Sequence, residues 1–399
     1  MFYEEEVKAV VAHELGHATH YDMLFMTVAQ LVPLVLYAVY ETFIMNEKDS
    51  DNSNLAIVGI IAYILYIISQ YIVLWLSRTR EYYADSFAIE KTKNPNSLAE
   101  ALVKIGYGLY TSSKSKHSVS KSNALGIFDT KTSKSLVVSS YDDGQVSKES
   151  IKGAMKWESW NIWAKVYELN STYPLISKRL TAISSKCKEY NQHPYIEFNL
   201  KKQESYVDDF LIELLICLLP FIFLILTIIF AFSFKEHIFV IIGLGGILFV
   251  LALFIGLNKT HKNKNYKKTT VDNLLGEVKV SSVTSIPCIL EGTIIGRGNP
   301  GCIFNEDFVI KDETGIIFLD YNQPLMVINK IFALFKSKEY FDKKVVVTGW
   351  YRRSPVPYVE VYSIKIDGKV KKCHTYKFTK IVYVIMLILF ISLMIYEIF

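Results

Sequence analysis

Val10-Val11-Ala12-His13-Glu14-Leu15-Gly16-His17 sets two imidazoles four residues apart, with a carboxylate beside the first. On a helix, His13 and His17 then lie one above the other on a single face. Two neutral imidazoles so placed can hold one zinc ion, and Glu14 can take a proton from a water that the ion activates. A third ligand is still needed. Arg80-Glu81-Tyr82-Tyr83-Ala84-Asp85 offers Glu81, which would leave a fourth position open. Asp85, one turn further on, can accept a hydrogen bond from a ligand imidazole and fix its tautomer. The bland alternatives are a surface helix with two satisfied histidines and an ordinary solvated acidic face. Together the two stretches favour metal-dependent hydrolysis of peptide bonds.

Long apolar elements must position these residues. Hydrophobic residues make up 51% of the 399, and mean hydropathy is positive. That describes an integral membrane protein with soluble parts and excludes a single globular core. Residues 1–22 read as one metal-binding helix, with Val7, Val10, Val11 and Leu15 at helical spacing and Glu4, Glu5 and Glu6 at its positive end. Gly16 costs that helix up to about 1 kcal/mol against alanine, which close approach of a neighbouring element or of substrate would explain. Five apolar blocks, about 23–45, 55–77, 210–234, 238–257 and 381–399, approach the roughly 20 residues a bilayer requires. Glu41 and Glu213 lie towards block ends, where a carboxylate reaches the interface, and Gln70 is tolerable in a helix bundle.

The connectors set an orientation. Asn46 to Asn54 is short and acidic, whereas Lys259, Lys262, Lys264, Lys267 and Lys268 crowd the exit of the fourth block, and Arg78 and Arg80 follow the second. Basic connectors stay on the cytoplasmic side, which places 1–22, 78–209 and 258–380 there. The first two blocks form a hairpin, so His17 and Glu81 emerge on one side, close to the membrane face.

At this point the chain resembles the HtpX-type membrane zinc metallopeptidases. The resemblance rests on "AVVAHELGHATHYDM" (9–23), "SRTREYYADSFAIE" (77–90) and "ELNSTYPLISKRLTAI" (168–183), and covers about the first half. It implies zinc on His13, His17 and Glu81, with Glu14 as general base. In that family a His-Pro pair precedes an arginine at the spacing seen from Pro174 to Arg179; Tyr173 stands here in place of the histidine. The tyrosine hydroxyl can still donate to an oxyanion, and Arg179 can orient substrate or ligands, with a structural salt bridge as its equal rival. Two membrane helices and a substrate-binding segment precede the metal helix in the family. The early Met1 is therefore read as a truncated or mis-assigned start, which bears on activity and not on ancestry.

Asn94-Pro95-Asn96-Ser97 breaks the chain, with Ser97 as the expected cap of a helix through Leu102 and Ile105. Thr111 to Asn123 reads as a loop in which His117 is simply solvated. Residues 149–190 are helical, with Met155, Trp157, Trp160, Trp163 and Tyr167 assigned to core packing or the interfacial belt ahead of substrate binding. Short runs follow: "CILEGTII", "FVIKD", "GIIFLD", "KKVVVTGWY" and "YVEVYSIKI", separated by turn signals at Gly296–Gly301 and Asp312–Gly315. They suggest a small all-β, OB-like barrel. Trp350, Tyr351, Arg352 and Arg353 could stack on a nucleic acid, but a strand end and turn is the simpler reading, and protein docking or regulation is favoured for a module tethered between membrane spans. Cys187, Cys217, Cys288, Cys302 and Cys373 are odd in number and widely spaced, which fits a reducing compartment.

The expected fold is thus a mainly α integral membrane protein with a helical zincin-type catalytic region, about five membrane helices and the OB-like domain. Its parts are the metal-binding helix 1–22, a hairpin 23–77, a cytoplasmic catalytic region 78–209, a second hairpin 210–257, a basic linker and β domain 258–380, and a last membrane helix 381–399. The expected function is a zinc endopeptidase of the cell membrane that cleaves misfolded or damaged membrane proteins at the cytoplasmic face. The rival is an inactive or truncated scaffold that recruits a partner through its β domain.

Overall fold

The computed structural model describes residues 3–44, 53–111, 141–142, 145–146, 148–198, 201–202, 204–262, 265–297, 307–335, 337–354 and 356–398. The acidic connector around Asp49, His117, Lys264, Cys302 and the turn beyond Arg297 lie outside them. The chain forms two compact units.

The described residues of the first unit fall in Met1–Leu109 and Ala164–Leu200. Helix α1 (Glu4–Thr19) stops short of the expected residue 22. Tyr21 takes a left-handed backbone at φ 54°, and α2 (Asp22–Ile44) begins directly after it. Helix α3 (Ser53–Thr92) is one unbroken rod of 40 residues, so the second apolar block and the Glu81 segment are a single helix. At about 1.5 Å per residue it is about 60 Å long. Ring contacts between Tyr37 and Tyr66 (5.4 Å) and between Tyr40 and Tyr63 (4.8 Å) join α2 to α3.

Helix α1 packs on the far half of α3 through small residues. Ala9, Ala12, Gly16, Ala84 and Ala88 are all buried. A Cβ on Gly16 would stand 3.1 Å from the Ala84 Cα and 3.3 Å from the Phe87 side chain. Of the two explanations offered for this glycine, a neighbouring helix is the one observed. Glu6, buried in the first turn of α1, accepts from the Tyr3 N–H at 2.9 Å and pairs with Lys104 of α4 (Pro95–Thr111). The cap of α4 differs from expectation. Asn94 and not Ser97 caps it, accepting the Ser97 N–H at 3.3 Å, because Pro95 is fitted to the first helical position, where no N–H is needed.

The described residues of the second unit fall in Tyr110–Val119, Ser135–Trp163 and Lys201–Phe399. Helix α5 (Lys148–Trp160), which lies within 78–209 of the chain, packs here. Trp157 is fully buried and donates from Nε1 to the Val280 carbonyl at 2.7 Å, while the Arg353 guanidinium sits 4.4 Å above its ring. Five strands close a barrel: β1 (Ile286–Arg297), β2 (Phe308–Lys311), β3 (Ile316–Asp320), β4 (Lys344–Ser354) and β5 (Val356–Ile366). The order is β1-β2-β3-β5-β4 with β4 pairing back to β1; only the β3–β5 pair is parallel. The five β-like runs of the sequence supply one strand each. Gly292 is required where β1 crosses β2, since a Cβ there would lie 2.3 Å from the Lys311 carbonyl oxygen. Asp312 makes the expected turn by accepting the N–H groups of Thr314 (2.7 Å) and Gly315 (2.8 Å). Trp350, Tyr351 and Arg353 are buried inside this unit and so present no stacking face.

Five helices among the described residues are long and apolar enough to cross a membrane: Asp22–Ile44, Ala56–Thr92, Val207–Ser233, Lys235–Thr260 and Thr375–Glu397. Glu213 lies in the first turns of the third of these helices. It is buried, and its carboxylate accepts the Trp163 indole N–H at 2.6 Å. The α1–α3 contact yields a direct test. Gly16→Val should lower the thermal unfolding midpoint in detergent, by about 1–3 kcal/mol of overpacking against a backbone that cannot swing aside, with a smaller loss for Gly16→Ala.

Candidate metal centre

Helical spacing on α1 sets the His13 and His17 rings 4.8 Å apart at their centroids, with the two Nε2 atoms 3.2 Å from each other. Helix α3 brings Glu81 against both. Its Oε2 lies 3.6 Å from His13 Nε2, and its Oε1 lies 3.6 Å from His17 Nε2. One ligand atom from each of the three falls within 4.8 Å of the others. Zinc–ligand bonds of about 2.0–2.1 Å in a tetrahedron give ligand–ligand edges of about 3.3–3.4 Å. The nitrogen–nitrogen separation of 3.2 Å is close to that value, and each ring has a different Glu81 oxygen at 3.6 Å, so the donor set fits an ion faced by both carboxylate oxygens.

The far sides of both rings face carboxylates. His13 Nδ1 lies 3.0 Å from Asp85 Oδ1, and His17 Nδ1 lies 2.5 Å from Asp22 Oδ2. With a proton on each Nδ1, the Nε2 lone pairs are aimed at each other and at Glu81, an arrangement that favours a cation between them. Arg179 supports the carboxylates from behind. Its Nε donates to Asp85 Oδ2 at 2.9 Å, its Nη2 to Asp85 Oδ1 at 2.6 Å, and its Nη1 lies 3.2 Å from Glu81 Oε2. At 1% exposure Arg179 forms a buried salt bridge, the rival reading of this residue, and its partners are Glu81 and Asp85. Glu14 is half-buried beside the cluster, and its Oε1 has no hydrogen-bond partner among the described residues. Tyr173 is half-buried in the bend between Leu169 and Ile176, where its own N–H donates to Ser171 Oγ at 3.1 Å.

Electrostatics follow the geometry. Burial works against a charge on His13, but hydrogen bonding to Asp85 and Glu81 and the Asp85 charge outweigh it and raise its pKa to about 9. A cation entering the site therefore competes with a proton. His17 is shifted down, first by burial and then by His13, although Glu81 and Glu14 oppose this. Burial raises the Glu14 carboxyl above the usual carboxylate range, with Glu81 adding to it and the two histidines opposing. A carboxylate so raised is the better proton acceptor.

Sequence reasoning missed Asp22 and its partner. Asp22 reaches His17 because the left-handed Tyr21 folds α2 back at once, and Arg80 pairs with Asp22 while donating to the His20 carbonyl at 3.1 Å. The signal was present in the quoted "HATHYDM", but nothing in it marks Tyr21 as a turn.

Residues 1–186 match the profile of Peptidase family M48. This part of the chain is similar to that family. A "Protease HtpX homolog" of Methanothermobacter thermautotrophicus is 45% identical over 102 residues, which is 26% of this chain and 38% of the relative. Proteins of the same name from Pyrobaculum calidifontis and Pyrobaculum aerophilum are 30% and 33% identical, each match covering 44% of this chain and 50% of the relative. The chain thus spans half or less of the length of these relatives. No solved structure matches it.

Two outcomes are expected of this centre. Asp22→Asn should weaken zinc binding about 10- to 100-fold, the usual cost of losing a partner behind a ligand imidazole, measured by chelator competition. Because the metal must displace the His13 proton, apparent zinc affinity should rise about tenfold per pH unit from pH 6 and level off near the His13 value of about 9.

Proposed function

We propose that this chain is a zinc-dependent endopeptidase embedded in the cell membrane, with its active site at the cytoplasmic face. The observation that carries this is the convergence of two imidazole Nε2 atoms and both Glu81 oxygens, beside a Glu14 oxygen with no partner. The M48 match and the protease name of the relatives support it.

His13, His17 and Glu81 would hold the ion, which supplies Lewis acidity to polarise the scissile carbonyl and ease deprotonation of water. Glu14 Oε1 takes the proton of the attacking water and delivers it to the leaving amine, as its raised pKa suits. Asp85 and Asp22 hold the imidazole tautomers, and Arg179 holds Asp85 and Glu81 in place. Tyr173 is the proposed donor to the oxyanion, acting from the segment that also carries Arg179. Substrates would be misfolded or damaged membrane proteins, because the ligand helix α3 is also a candidate span. Partner docking falls to the barrel, whose Trp350, Tyr351 and Arg353 are buried and so are not offered to a nucleic acid.

Glu14→Gln should keep zinc and lose hydrolysis of an unfolded membrane protein, because an amide cannot accept the proton; His17→Ala should lose the zinc itself. Retention of near-parental cleavage by the first variant, or of full zinc content by the second, would sink the assignment. The orientation has its own test. In a cysteine-free background, a cysteine at Ser50 should react with an impermeant maleimide in intact cells, whereas cysteines at 302 and at the exposed Ser86 should not.

A further inference from the structure

A groove of about 460 Å³ runs between α2 and α3, lined by Gln30, Pro33 and Tyr37 on one wall and by Tyr66, Gln70 and Ser77 on the other. Both helices belong to the candidate membrane hairpin. Neither the Gln30 nor the Gln70 amide makes a hydrogen bond to another described residue. Pro33, buried on the same wall, has no N–H to give to the Ala29 carbonyl one turn before it. Unpaired polar groups inside hydrocarbon are costly, and those that persist there mark a site more often than they mark packing.

The groove also has a direction. Gln70, Val73, Leu74 and Ser77 recur at helical spacing along one stripe of α3, and the next step on that stripe is Glu81. The lining therefore leads along about 16 Å of helix, at about 1.5 Å per residue, to the metal centre. A primary amide donates and accepts at once. Its complement is a peptide group whose own partner is missing. An intact helix satisfies its backbone internally, and a lipid acyl chain offers no polar atom.

We propose that this groove binds the locally unwound, membrane-embedded segment of a protein substrate, with Gln30 and Gln70 pairing its open backbone groups from opposite walls. The groove then selects for spans that fail to hold their helix and feeds the adjoining chain to Glu14. This deepens the endopeptidase reading and rests on it for the fate of the bound chain.

The test uses the full chain carrying Glu14→Gln in proteoliposomes, with a photoreactive residue at Met26, which lines the groove and leaves both amides in place, or at Val35, an exposed position outside it. The probes are two single-span proteins, one with a Gly-Pro-loosened span and one with an all-leucine span. Position 26 should capture the loosened span about tenfold more than the leucine span, and about tenfold more than position 35 does. With the reporter at position 26, Gln30→Leu combined with Gln70→Leu should cut capture about fivefold to tenfold, while the double change to Asn restores it. Equal capture at positions 26 and 35, equal capture of the two spans, or adducts with lipid alone would overturn the proposal. Capture needs no turnover. An active-site failure would therefore appear as lost hydrolysis by the parent chain with capture intact, distinct from a failure of the groove.

Discussion

Two imidazole nitrogens whose lone pairs point at each other across 3.2 Å repel unless something positive sits between them. The rest of the first unit can be understood as the means of holding them there. Small residues on α1 and α3 let the two backbones approach until Glu81 reaches both rings. Carboxylates behind the rings keep the lone pairs inward, and Arg179 keeps the carboxylates from collecting unbalanced charge in a buried place. Removing one member of such a set leaves the others buried and uncompensated, which costs more than the lost contact alone.

Arg179 also ties the site to chain far away in sequence. It comes from the helix Ile176–Lys186, whose entry is anchored by Arg78, donating from Nη1 to the carbonyls of Glu168 (2.6 Å) and Ser171 (2.8 Å). Arg78 stands one turn before Glu81 on α3. The same helix thus presents the carboxylate and fixes the segment that supports it, so the centre is organised around α3 from two directions.

Much of this was legible in the sequence, for physical reasons. Spacing of four and helical periodicity put His13 and His17 on one face, and long apolar blocks make a hairpin that returns Glu81 to them. Alternating apolar runs between Asp and Gly turns likewise indicated the barrel strands. Asp22 was not legible, because its approach to His17 depends on a left-handed Tyr21 that carries no glycine or asparagine to announce it. Nor was the burial of Trp350 and Arg353, since a Trp-Tyr-Arg-Arg run reads alike whether it faces solvent or the Trp157 ring. The end of α1 and the cap of α4 were each misjudged by a few residues, where local backbone geometry outweighs side-chain pattern.

The uninterrupted α3 has a consequence for how the chain can vary. Ordinary membrane spans gain or lose a residue with little effect, because tilt and flanking loops absorb the change. Here the span and the Glu81 carboxylate share one helical phase. Inserting a single residue between the Tyr66 contact and Glu81 would rotate the carboxylate by about 100° and lift it by about 1.5 Å. No loop intervenes to reset that phase. The length of this stretch is therefore locked by the geometry of the metal centre and not by the thickness of the bilayer.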